Sequence, residues 1–428
     1  MKIDRRSFLK AGALIGAGGL VGPRFVFGAR HGTPSDTVVV IFLRGGLDPM
    51  QAIVPYGDSD YLRLRPTIAI PQPGAANGAL PLDNLFGLHP SLAPLLPIYQ
   101  GRQLAVVHAT GLKHDERSHF ACQDHIETGI HDLAGAGGHA GHSGWLNRHL
   151  TEVGDPGGFF AIGMGSALQA AVRGDASALA MQSLSSFAFS STSSRKLEME
   201  DRLYAMYGRD NDVGLSARRA LDSIDYIAAV KPAAIPVANG AVYPTGTFGN
   251  QMKEVAQLIK AGMGLRIACV DLGGFDHHDG INTRLPPLLD QLARGMAAFH
   301  ADLGNAMGDV TVVTMTEFGR RAFENASGGT DHGCGSMMLL MGGGVVGGQV
   351  YADWPGLRDV DLFNGDLDVT VDYRTVLTEL MQKRMASDQD GGIFPDVLGQ
   401  PQVGCFSSTR SNPNHRLPTP RGSTVELT

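Results

Sequence analysis

Residues 37–43 read T-V-V-V-I-F-L, seven apolar or β-branched positions without interruption. A strand with one wet face alternates polar and apolar residues. An unbroken run is the pattern of a strand covered on both faces, as in a parallel sheet. This run stops at Arg44-Gly45-Gly46-Leu47-Asp48, a glycine turn with a carboxylate behind it. Residues 104–108, 265–272, 310–315 and 336–341 are further runs of the same kind, with a short strand also expected at 159–162. Helical patterns at 88–99, 118–127, 285–303 and 371–384 are interspersed with them. Strands alternating with helices predict an α/β fold whose mostly parallel central sheet is covered on both faces. Function in such folds gathers at the carboxyl ends of the strands.

The ends of the chain read differently. Asp4-Arg5-Arg6-Ser7-Phe8-Leu9-Lys10 precedes a glycine-rich apolar run at 11–22. Paired arginines before a modest apolar stretch are an export address read by a receptor. The run is shorter than the roughly 20 apolar residues of a membrane span, and its glycines make it a poor helix. Residues 1–30 are therefore expected to be a twin-arginine signal peptide, with small residues near Val26, Gly28 and Ala29 for cleavage. This implies the twin-arginine translocation machinery as a partner and a periplasmic or secreted location. No stable membrane span is expected in the mature chain. Residues 36–400 are expected to form the α/β domain. Within it, a serine-rich linker at 183–195 and helices at 194–208, 214–230 and 249–261 suggest a helical insertion or cap over 183–262. The tail, 404–428, is rich in proline and serine and reads as loose.

Composition excludes some functions. A net charge of -7 leaves no basic footprint, so nucleic acid is not an expected partner. The four cysteines have no paired spacing, which removes zinc-ribbon and C-x-x-C redox readings.

The chemistry lies behind the strands. Asp48 follows the first; His108 ends the second, with Arg117-Ser118-His119 at the next helix start. Gly273-Gly274-Phe275-Asp276-His277-His278 follows the strand at 265–272. Thr316-Glu317-Phe318-Gly319-Arg320 and Gly329-Thr330-Asp331-His332-Gly333 follow the one at 310–315. Carboxylates and imidazoles collected at strand ends suit zinc, manganese, iron, calcium or magnesium. A hydroxyl at a helix N-terminus, such as Ser118, faces unpaired N–H groups and favours an anion there. The competing reading of Ser118 is a plain N-cap. Arg117 beside it has the fork to clamp ester oxygens. Glu317 is expected to orient Arg320 by an ion pair. His139 and His142, in the Gly/Ala/His loop at 131–144, read as solvated.

The ordered motifs L-R-G-G-x-D, R-S-H-F-x-x-Q, G-G-F-D-x-H, T-E-F-G-R and G-T-D-H-G resemble the bacterial DUF1501 family from about residue 36 to 385. That family is similar to the alkaline phosphatase/sulfatase superfamily. The resemblance implies a three-layer α/β/α sandwich and a divalent metal site of one or two ions. Zinc is the first expectation, with manganese and calcium as alternatives. It also implies Ser118 as nucleophile toward a phosphate or sulfate ester of a small molecule or glycan. Asp48, Asp276, His278, Asp331 and His332 become metal ligands by resemblance, and Arg117 or Arg320 would hold ester oxygens. The sequence departs from the superfamily in three ways. Asp276 and His278 are closer together than the usual pair, and a late third histidine ligand is not evident. The formylglycine signature C/S-x-P-x-R is absent around Ser118. Either His108, His114 or His119 supplies the missing imidazole, or one of the two metal sites is lost. The alternative to an ester hydrolase is a non-catalytic exported binding protein on the same scaffold. A serine hydrolase is less favoured because no G-x-S-x-G surrounds Ser118.

Overall fold

The computed structural model describes residues 36–130, 143–154, 160–187, 193–207, 212–387, 392–394, 397 and 400–408. The expected signal peptide, His139, His142 and the tail from 409 onward lie outside these residues. Among the described residues nine strands form the large sheet: β1 (Thr37–Arg44), β2 (Leu104–Gly111), β3 (Ala161–Met164), β4 (Leu179–Met181), β5 (Ile267–Gly273), β6 (Val310–Met315), β7 (Ser336–Gly342), β8 (Val350–Tyr351) and β9 (Val371–Asp372). Their order is β8-β2-β7-β6-β1-β5-β3-β4, with β9 also paired to β2. All pairings are parallel except those of β7, which runs against both β2 and β6.

Burial explains the layers. Side chains alternate across a strand, so an apolar run supplies both faces at once. In β1, Val39, Ile41 and Leu43 enter one core while Val38, Val40 and Phe42 enter the other. The helices that supply most of these cores include α1 (His119–Thr128), α2 (Trp145–Glu152), α3 (Thr247–Lys260) and α4 (Ile281–Leu303). A fifth, α5 (Tyr373–Arg384), follows β9. Helices α3 and α4 cover the first face through Val255, Leu258, Leu289 and Met296. Helices α1, α2 and α5 cover the second through Ile126, Leu146, Val376 and Leu380. The result is a three-layer α/β/α sandwich. Each fully buried aliphatic chain in it contributes roughly 1.5–3 kcal/mol of transfer free energy. Among the described residues no helix is long and apolar enough to cross a membrane.

Some expectations need adjustment. The pattern at 88–99 is a 3-10 segment, Pro90–Leu95, followed by a short helix, Leu96–Gln100. Pro94 and Pro97 remove the N–H groups that a single α-helix would need. Of the stretch expected as an insertion, 183–262, α3 lies within the covering layer of the sheet, its apolar face buried with α4. The expected helix at 371–384 starts later, because Val371–Asp372 pairs with the edge of β2 and Asp372 caps α5 through the Arg374 N–H.

Candidate metal centre

Three loops follow the carboxyl ends of β1, β5 and β6. Because β7 is reversed, the residues before it, Thr330 to Gly335, arrive at the same edge. One antiparallel strand thus brings Asp331 and His332 to the ends of parallel strands. Close backbone approach needs glycine here. At Gly45, with φ 118°, a Cβ would lie 2.6 Å from the Asp276 nitrogen. At Gly329 it would lie 2.3 Å from the His278 carbonyl carbon. Any larger residue at either position would push apart the loops that carry Asp276 and His278.

The side chains converge on Asp276. His119 Nε2 lies 3.4 Å from Asp276 Oδ2. His278 Nε2 and His332 Nε2 lie 3.1 and 3.2 Å from Oδ1 and 3.0 Å from each other. The donor atoms of His119, Asp276 and His332 fall within 4.8 Å of one another. Each imidazole is held from behind by its other nitrogen. His119 Nδ1 faces Glu317 Oε1 at 2.9 Å, His278 Nδ1 faces Asp331 Oδ1 at 2.8 Å, and His332 Nδ1 faces the Arg117 carbonyl at 2.8 Å. An oxygen acceptor at Nδ1 fixes the proton there and leaves the Nε2 lone pair pointing inward. Metal-ligating histidines are oriented in this way. Two lone pairs 3.0 Å apart repel unless a proton or a cation lies between them. The His119, Asp276 and His332 donors, with His278 Nε2 beside Asp276 and His332 as a fourth candidate, therefore fit a divalent transition ion. They fit calcium or magnesium poorly, since these prefer all-oxygen shells.

The electrostatics favour the ionised carboxylates. Partial burial pushes Asp276 up, but the Arg320 guanidinium, through its hydrogen bond and its charge, is foremost in outweighing this, and Asp276 is held at about 2. Burial likewise pushes Glu317 up, and hydrogen bonds from Gln123, His119 and the Gly45 N–H bring it below the ordinary carboxylate range.

A family profile described as a protein of unknown function (DUF1501) matches residues 35–391. The chain belongs to the DUF1501 family. No curated protein matches the sequence. Among solved structures, it is similar to Ps i-CgsB in complex with k-i-k-neocarrahexaose. That likeness has a TM-score of 0.38 and 10% identity, over 86% of this chain and 77% of the other. The alkaline phosphatase from the Antarctic bacterium TAB5 gives 0.31 and 10%, over 74% and 94%. The lipoteichoic acid synthase LtaP from Listeria monocytogenes gives 0.31 and 7%, over 81% and 76%. These are loose likenesses of layout.

Several residues of this DUF1501 chain stand elsewhere than the sequence suggested. Asp331 reaches His278 Nδ1 and Asn325, so it orients an imidazole from behind. Glu317 supports His119, Gln123 and the Gly45 N–H instead of Arg320. Arg320 is buried and committed to Asp276 and to the Gly45, Gly46 and Thr330 carbonyls, so it is not placed to grip an ester. Arg117 is committed to Asp366 and to the His114 and Glu116 carbonyls of its own loop. Asp48 lies in a buried network with Arg65 and Thr330 and caps the turn Pro49–Ala52. Ser118 is exposed at the N-cap position, but its hydroxyl does not cap α1. Sequence reasoning gave no role to Gln123, although its spacing of four from His119 puts both on one helix face. Asn325, Arg65 and Asp366 carried no local signal.

His108 is a core histidine, with both nitrogens taken by the Ile53 carbonyl and the Ala109 N–H and its ring stacked on Phe86. Burial lowers His89, His108 and His149 to about 4 each. Unfolded histidine titrates near 6.5, so between these values the unfolded chain takes up protons that the folded one refuses. Stability is then full above about pH 6.5 and falls as pH drops toward about 4, by up to roughly 3 kcal/mol per histidine. Urea midpoints at about pH 7 and 4.5 check this. A His108→Gln protein should lose about a third of the slope that these three histidines give. An unchanged slope would contradict the assignment.

Proposed function

We propose that this chain is an exported, metal-dependent hydrolase of phosphate or sulfate esters with Ser118 as nucleophile. The observation that carries the reading is the convergence of three Nε2 atoms on Asp276, with Ser118 tethered to that cluster on both sides. The carbonyl of Arg117 is held by His332 Nδ1, and His119 reaches Asp276 and Glu317. The one residue between these contacts is Ser118.

His119, His278, His332 and Asp276 would hold the ion, zinc by preference, with manganese or iron as alternatives. Such an ion supplies Lewis acidity, lowering the pKa of a hydroxyl and polarising an ester oxygen. Glu317, Asp331 and the Arg117 carbonyl keep the imidazoles in register. Arg320 fixes the Asp276 carboxylate. Ser118 Oγ would attack phosphorus or sulfur, the alcohol would leave, and water would then cleave the seryl ester. The N-terminus of α1 adds a favourable field for the anion. Zinc-loaded protein is expected to hydrolyse a member of a panel of phosphate and sulfate monoesters. Ser118→Ala should lower that rate on the order of 10³-fold or more while zinc uptake is unchanged. Equal rates in the two proteins would remove Ser118 from the chemistry.

One observation favours a second reading, a non-catalytic exported binding protein. Arg117 and Arg320, both expected to hold ester oxygens, are already paired with Asp366 and Asp276. Zinc uptake with no turnover of any ester on the panel would support it.

A further inference from the structure

The metal-centre reading leaves open how many ions the centre takes, and a buried ion pair beside it bears on this. Asp48 is 2% exposed and the Arg65 side chain is fully buried. Arg65 Nη1 donates to Asp48 Oδ1 at 2.9 Å, and the Met50 and Gln51 N–H groups donate to the same oxygen at 3.1 Å. Oδ2 accepts from Thr330 Oγ1 at 2.8 Å. The remaining nitrogens of Arg65 are equally committed, Nε to the Ala322 carbonyl at 3.0 Å and Nη2 to that of Arg321 at 3.1 Å. A planar guanidinium satisfied at every nitrogen cannot swing aside without stranding a buried charge and two carbonyls.

The pair is wired to the centre. Thr330, which holds Asp48 by its hydroxyl, accepts from Arg320 Nη1 through its carbonyl at 2.9 Å. Arg320 Nη2 in turn holds Asp276 at 2.6 Å. Along this network each carboxylate already has its partners: Arg65 and Thr330 for Asp48, Arg320 for Asp276, His119 for Glu317 and His278 for Asp331. The imidazoles meet Asp276 on different oxygens, His119 on Oδ2 and His278 and His332 on Oδ1, but among the described residues only His119, Asp276 and His332 form a group of donors close enough to hold an ion, which is one position.

We propose that the centre binds one divalent ion, and that the Arg65 guanidinium provides Asp48 with the fixed counter-charge that a second ion would otherwise give. Arginine stays charged at any working pH, so this counter-charge does not depend on metal supply. It carries no open coordination position, so Asp48 and Arg65 stabilise the loop junction and touch neither ion nor ester.

The test uses the full chain, stripped by a chelator and titrated with zinc chloride by calorimetry, with elemental analysis after dialysis. One equivalent of zinc is expected. With manganese the paramagnetic resonance spectrum should be that of an isolated ion, without exchange coupling. Two equivalents, or a coupled pair, would overturn the proposal and leave the metal-centre reading standing. No uptake would overturn both. The double variant Asp48→Asn with Arg65→Met removes both charges together. If it folds, as judged by circular dichroism, its zinc affinity should stay within about threefold of wild type. A loss of roughly a hundredfold in folded double variant would make Asp48 a ligand and overturn the proposal. If it does not fold, the wild-type stoichiometry alone decides.

Discussion

Asp276→Ala protein is expected to fold and to have lost most of its affinity for zinc. Asp276 is the single carboxylate that all three Nε2 atoms face. Its side chain is 44% exposed, so removing it opens no buried cavity. What it leaves is one N–H of Arg320 without its acceptor, and the remaining bonds of that guanidinium to the Gly46 and Thr330 carbonyls persist. Four-ligand zinc sites are worth roughly 10–16 kcal/mol, so one ligand in four is worth about 3 kcal/mol, a loss of roughly 150-fold in affinity. Competition with a chromophoric chelator measures this directly. Wild-type affinity in Asp276→Ala would place the ion elsewhere. An unfolded variant would instead assign Asp276 a structural role.

Arg320→Met should act the other way, with a large cost in stability. This guanidinium is 1% exposed and joins three loops through Gly45, Gly46, Thr330 and Asp276. Methionine fills similar space but donates nothing. The buried carbonyls then lose their partners at about 1–3 kcal/mol each, partly recovered by relaxation. The ion pair with half-exposed Asp276 adds little, because solvent screens it. A net loss of about 3–5 kcal/mol is expected from urea denaturation. Arg320→Lys should recover only part, since an ammonium cannot reproduce the planar fork. A loss below about 1 kcal/mol in Arg320→Met would mean that the loops are held by something else.

Much of the fold was legible because runs buried on both faces have few alternatives. Residues 310–315 are β6 as read, and the run at 37–43 is β1 short of Arg44 alone. The two-residue strands β8 and β9 escape sequence reasoning because they are too short to show a period and exist only by pairing to the edge of β2. The site was legible where chemistry and glycine coincide, as in G-G-F-D-x-H and G-T-D-H-G. It was not legible where a distant partner decides a residue's role. An acid behind a strand reads as a ligand, and in Asp48 only the burial of Arg65 seventeen positions on, in an irregular proline- and glycine-rich stretch, redirects it. Glu317 and Arg320 sit three apart and read as a pair, whereas the fold sends one to His119 and the other to Asp276. The apolar run reads as ending at His108, which puts that imidazole among the candidates, whereas β2 continues to Gly111 and the ring is enclosed by Phe86 and Trp354.

The most direct measurement of the centre itself is the zinc X-ray absorption spectrum of loaded wild-type protein. Three imidazole nitrogens at about 2.0–2.1 Å and one carboxylate oxygen are expected, with the multiple-scattering pattern of histidine rings. A first shell of oxygen alone, or one containing sulfur, would contradict a centre built from His119, His278, His332 and Asp276.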